Sequence, residues 1–155
     1  MNILIARIAK GGVGWADQAV ANWLKRLRKP FVCSEQTWKP ARAHSDLDRR
    51  REQESGLILK HLKPADVLIA IDERGSMCTT EQLAERLEHA LNSGVKKMVF
   101  AIGGAYGHHQ SLRDRAQHVL ALSPMILNHE LARMMLVEQI YRVQELRSGG
   151  KYHHV

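Results

Sequence analysis

Two near-continuous apolar runs constrain this chain most: Asp66 to Ile71 (Asp-Val-Leu-Ile-Ala-Ile) and Met98 to Ile102 (Met-Val-Phe-Ala-Ile). A strand with one wet face alternates apolar and polar residues. A run without that alternation has to be covered on both faces, as in a parallel sheet between two helix layers. Both runs are too short for an ordinary buried helix.

The rest of the sequence agrees with that architecture. Residues 2–8 read as a strand feeding Ala-Lys-Gly-Gly, and residues 31–38 as a second strand. Helical spacing predicts helices over residues 15–28 and 46–62, the latter strongly charged. Asp72-Glu73-Arg74-Gly75 reads as a turn after the third strand. Thr79 and Gln82 have capping-box spacing before an apolar stripe of Leu83, Leu87, Ala90 and Leu91, and Gly94 is placed to stop that helix. A short helix is predicted over residues 110–119. Residues 120–127 are apolar but broken by Pro124, which suits an edge strand or a loop. Asn128 is placed to cap a long helix through Arg147, with Ala132, Leu136, Ile140 and Val143 as its core stripe. Strand–helix alternation throughout predicts one α/β domain over residues 1–155: a mostly parallel sheet with helices on both faces.

No apolar run approaches the roughly 20 residues of a membrane span, and the first residues lack the charged start of a signal peptide. A soluble, cytoplasmic protein is expected. Cys33 and Cys78 have no metal-type spacing and are expected as buried or half-buried thiols. The net charge is +7, and residues 1–60 carry twelve Lys/Arg against six Asp/Glu, almost the whole excess. Its densest runs are Lys25-Arg26-Leu27-Arg28-Lys29 and Arg49-Arg50-Arg51. Such a bias is either a solvated helix face or the footprint of a polyanion held by phosphate contacts.

Ligands of open parallel sheets sit beyond the carboxyl ends of the strands. Three such places are unusual here: Ile71-Asp72, Gly103-Gly104, and Leu122-Ser123-Pro124-Met125-Ile126-Leu127. No dinucleotide fingerprint follows the first strand and there is no P-loop, which argues against ordinary nucleotide binding. Nine histidines, including adjacent pairs, show no H-x-x-x-H or Cys/His set, so no metal is expected. No triad or carboxylate pair suggests hydrolysis.

Together these pieces resemble one family. Ile102-Gly103-Gly104-Ala105-Tyr106-Gly107 resembles an I-G-G-P-E-G segment, and Leu120 to Leu127 an L-S-L-S-x-M-T-x segment. His129-Glu130-Leu131-Ala132-Arg133, Glu138-Gln139, Tyr141-Arg142 and Tyr152-His153 resemble a closing H-x-L-x-R…E-Q-x-Y-R…Y-H pattern. These segments characterise the bacterial large-subunit (23S) ribosomal RNA pseudouridine N3-methyltransferases, a SPOUT methyltransferase family. The chain departs from them at Ala105-Tyr106, at Ile126 in place of threonine, and at the closing His154-Val155.

The resemblance implies a trefoil knot in residues 66–155 and S-adenosyl-L-methionine bound there by Ile71, Asp72, Gly103, Gly104, Leu122, Ser123, Pro124, Met125, Ile126 and Leu127. It implies a homodimer that methylates N3 of a pseudouridine in large-subunit ribosomal RNA of the assembled 70S ribosome. The N3 proton needs an acceptor, for which His129, Glu138 and His153 are the candidates. Arg133, Arg142 and Lys151 would anchor RNA phosphates, and Tyr152 would stack on a base. Action on another RNA such as transfer RNA is one alternative. An inactive ribosome-binding module and a flavodoxin-like regulator are others.

Overall fold

The computed structural model describes residues 1–10, 14–42 and 46–150. Five parallel strands form one sheet: β1 (Asn2–Ile8), β2 (Val32–Trp38), β3 (Val67–Ser76), β4 (Lys97–Ile102) and β5 (His118–Leu120). Their order across the sheet is β2-β1-β4-β3-β5. The two apolar runs are neighbours, Ile69 beside Phe100 and Ile71 beside Ile102.

Five helices cover the sheet: α1 (Asp17–Arg26), α2 (Leu47–Leu59), α3 (Thr80–Asn92), α4 (Gln110–Arg115) and α5 (His129–Arg147). α1, α3 and α5 pack on one face around Val20, Leu87, Phe100, Leu136 and Ile140. α2 and α4 pack on the other, around Ile58, Leu68, Val99 and Leu112. Both faces of β3 and β4 are thus dry, which is why their sequences lack alternation. Among the described residues no helix is long and apolar enough to cross a membrane.

Local signals are realised where a few residues suffice. Thr79 and Gln82 form both arms of the capping box, Gly94 leaves α3 at φ 76°, and the Asn128 side chain accepts from Glu130 N at 2.7 Å. The expected core stripe of α5 is buried. Cys33 and Cys78 are free and half-buried.

Two expectations are corrected. Residues 72–75 do not end the third strand: the ladder breaks after Ile71 and resumes at Ser76, which pairs with Leu120. The helix predicted over 110–119 stops at Arg115, and His118–Leu120 is an edge strand. Gln117 accounts for the change. Its backbone N–H donates to Leu68 O at 2.9 Å and its side-chain Oε1 accepts from Leu68 N at 2.6 Å. Both bonds draw the chain onto the open edge of β3, so long-range pairing overrides the local helical pattern.

Candidate active site

Residues 71–73 of β3, the carboxyl end of β4, the loop after it and most of residues 122–127 wall one cavity of about 600 Å³. That volume lies in the range of small-molecule sites. The first turn of α5 closes it through Asn128, His129 and Ala132. Ile71, Asp72, Gly103, Gly104, Leu122, Ser123, Met125, Ile126 and Leu127 all line it. Pro124, grouped with them on sequence, does not. Most of the stretch 120–127 is a loop rather than a strand, with Met125 72% and Ile126 83% exposed at the cavity. Ser123 Oγ accepts from Met125 N at 3.0 Å and fixes its turn.

Glycine is required after β4 because the backbone is approached closely from both sides. A Cβ on Gly103 would lie 2.9 Å from the Gly107 carbonyl carbon, and one on Gly104 2.5 Å from Glu54 Oε2. Glu54 gives little room. It is 1% exposed, and its Oε1 accepts from Ala41 N and Arg50 Nε, each at 3.1 Å. Arg50 also stands over the Tyr106 ring, 4.9 Å from its centroid. α2 therefore buttresses the Gly103–Gly107 loop from beneath.

Two carboxylates, Asp72 and Glu73, line the cavity. Asp72 is 5% exposed and accepts from Arg74 N at 3.1 Å and Arg113 Nη1 at 3.2 Å. Glu73 stands at the rim, 3.8 Å from Arg74. Apolar walls and two carboxylates suit a ligand with a flat ring and a positive centre. Glu73, Tyr106, Asn128 and Ala132 were not assigned to the site on sequence. Ala132 had a signal, since it lies three residues after His129 on one helix face, and Tyr106 had another in the segment that follows Gly103-Gly104.

The closing pattern is dispersed. His129 lines the cavity with its side chain 38% exposed. Glu138 does not line it. Nine residues further along α5, it is roughly 13 Å away at about 1.5 Å per residue, and it is held by Gln139 and Arg142 at 2.7 Å each. Arg142 is half-buried on the same helix. Lys151, Tyr152 and His153 lie outside the described residues.

Arg133, expected to meet RNA, is 4% exposed and turned inward. It makes two 2.7 Å hydrogen bonds to Glu35 and further ones to Asp17 and Glu130. Burial opposes its charge, but the three carboxylates more than offset this and hold its pKa above the ordinary arginine value. It ties α5 to α1 and β2.

The two basic runs stand at opposite ends of the sheet. Lys25 and Arg26 in the last turn of α1, and Arg28 and Lys29 just after it, are exposed where the chain returns to the start of β2. Arg49–Arg51 lie near the start of α2, on the side of the cavity. Arg50 is tied to Glu54 and Arg51 to Asp48 at 3.0 Å, while Arg49 is exposed.

A family model described as "Predicted SPOUT methyltransferase" matches residues 1–153. Proteins named "Ribosomal RNA large subunit methyltransferase H" are similar along their length. That of Bdellovibrio bacteriovorus is 35% identical over 156 residues, all of this chain and all of the relative. That of Trichlorobacter lovleyi is 35% identical over 99% of this chain and 100% of the relative, and that of Geobacter metallireducens 36% over 99% of each.

Proposed function

The chain belongs to the SPOUT methyltransferase family, and from that premise we propose that it uses S-adenosyl-L-methionine to methylate N3 of a pseudouridine in large-subunit ribosomal RNA. The proposed substrate is the assembled 70S ribosome and the setting the cytoplasm. The relatives' name supports the ribosomal substrate. The observation that carries the reading is the cavity, because it collects nine of the ten residues proposed to hold the cofactor.

The donor set suits that cofactor. Ile71, Ile102, Leu122 and Leu127 offer apolar walls for a ring, and the Gly103 and Gly104 backbone completes the wall without a side chain. Asp72 and Glu73 offer negative charge to a sulfonium or ammonium. Bound there, S-adenosylmethionine would supply an already activated methyl group. The protein's own task is then to align acceptor and donor and to exclude water. His129 is the described base candidate that lines the cavity, and we assign it the N3 proton. Glu138 is too distant to take it within this protomer. His153, Lys151 and Tyr152 retain their proposed roles in catalysis and in holding RNA.

A homodimer is part of the proposal. Leu131 and Met135 are one turn apart on α5 and about 40% exposed, and Met77 is 60% exposed. Exposed apolar groups near a site support an interface there.

The test is transfer of labelled methyl to ribosomes from cells lacking their own pseudouridine methylation, with free RNA and transfer RNA alongside. Label at one large-subunit pseudouridine in whole ribosomes supports the proposal. Label in transfer RNA reassigns the substrate, and cofactor binding without transfer makes the protein an inactive module. His129→Ala should lower turnover more than cofactor affinity, and unchanged turnover removes His129 from the reaction.

A further inference from the structure

A second cavity, of about 430 Å³, opens between α3 and the amino ends of β3, β4 and β5. It is at the end of the sheet opposite the methyl-transfer cavity. Along β3 the nearest lining residues of the two are Ile69 and Ile71, roughly 7 Å apart at about 3.3 Å per residue. Its floor is apolar, with Val67, Ile69, Ala90, Val95 and Met98. Its polar groups are mostly donors or cations: Arg86 and His89 from α3, His118 and Gln117 from the edge of β5.

Arg86 is the unusual member. Its Nη1 is buried and has no hydrogen-bond partner among the described residues. Glu85 lines the same cavity but is exposed and makes no ion pair with it. A buried charged donor without an acceptor is costly, so such positions call for a water or an anion. The charge acts on its surroundings: burial and then Arg86 hold the His118 imidazole below its ordinary pKa. At neutral pH the guanidinium is therefore the dominant cation of the cavity, with the neutral imidazole beside it. Gln117 uses its Oε1 on Leu68 N, which leaves its amide nitrogen as a further donor.

We propose that this cavity binds a small organic anion, with a carboxylate or phosphate monoester seated on Arg86 and an apolar or aromatic body on the Ile69–Met98 floor. The guanidinium fork is matched to a two-oxygen anion. The floor is too apolar to be a site for a bare inorganic ion. Because β3 and β4 run from this floor to Ile71 and Ile102, the two ligands would share strands without sharing a wall.

The test is a titration of full-length protein with phenyl phosphate, benzoate and inorganic phosphate, read by methyl and imidazole NMR. Phenyl phosphate or benzoate should give saturable shifts at Ile69 and Met98 and should raise the His118 pKa, since an added anion offsets Arg86. Glu85 and His89 face the same space and would show smaller changes. Arg86→Met should weaken binding by roughly tenfold or more, and Arg86→Lys should restore part of it. Thermal melting checks that both variants fold, and S-adenosylmethionine affinity should be unchanged in both. Absence of shifts up to about 10 mM, or unaltered binding in Arg86→Met, would overturn the proposal and leave Nη1 to water. Inorganic phosphate binding as tightly as phenyl phosphate would overturn the apolar half of it.

Discussion

Arg133 and Glu35, 98 residues apart in sequence, are joined by two hydrogen bonds of 2.7 Å, Nε to Oε1 and Nη2 to Oε2. This fork ties the helix that closes the cavity to an edge strand of the sheet. Asp17 and Glu130 complete the set, and Arg7 reaches Glu130 from β1.

Arg133→Met should therefore act on stability first. It leaves three carboxylates around a vacant cationic position, and removing one partner of a buried pair costs about 3–5 kcal/mol. Arg133→Lys keeps the charge but cannot form the fork, and should recover only part of the loss. The denaturant midpoint measures both. A variant as stable as the parent that binds ribosomes poorly would return Arg133 to the RNA surface.

Stability should fall in two steps on acidification. His108 is 2% exposed, and its Nε2 lies 3.1 Å from Ala101 O, which can only accept, so that nitrogen carries a proton. Burial holds its pKa below the ordinary value, and His118 is shifted the same way. The unfolded chain binds these protons more readily, so the contribution is complete above about pH 6.5 and is lost as pH falls below it. Asp17 is lowered by the hydrogen bond from Arg133 and then that from Gly14 N–H. For Glu130, burial opposes ionisation, but Arg133 and Arg7 outweigh it and also lower the pKa. Their contribution is complete above about pH 4.5 and is lost as pH falls below it. Urea midpoints from about pH 8 to about pH 3 should show both steps. His108→Gln should shrink the upper one and Asp17→Asn the lower, and unchanged profiles would refute the assignment.

Gly104→Ala should damage the methyl-transfer cavity more than the fold. The added Cβ meets Glu54 Oε2, and that carboxylate is pinned by Ala41 and Arg50, so the loop has to move. Cofactor affinity, by calorimetry, should drop about tenfold or more for a shift costing about 1.4 kcal/mol, with a small change in melting temperature. Equal affinity would show that the loop yields freely.

Ribosome binding should depend on salt, and unequally on the two basic runs. For every phosphate that a variant no longer neutralises, the slope of log affinity against log salt flattens by about one. Arg49→Gln, at the cavity end, should weaken binding and flatten that slope, whereas Lys25→Gln with Lys29→Gln, at the other end, should do neither. Equal effects would place RNA contacts at both ends of the sheet.

What the sequence determined by itself is what short-range physics decides. Period and apolar runs specify covered strands. Capping residues such as Thr79 and Asn128 act within three positions of themselves, and the glycines after β4 declare a closely approached backbone before their neighbours are known. The resemblance in the last third adds the family, because motif order survives in one dimension. The tertiary structure decided the rest, for reasons that arise between distant segments. Residues 118–120 became a strand because Leu68 was there to pair with Gln117. Arg133 turned inward because Glu35, Asp17 and Glu130 converge on it from β2, α1 and its own helix. Glu54 became the support of Gly104 from an unremarkable charged helix. Each joins segments that are distant in sequence, and its energy exists only once folding has brought both partners together.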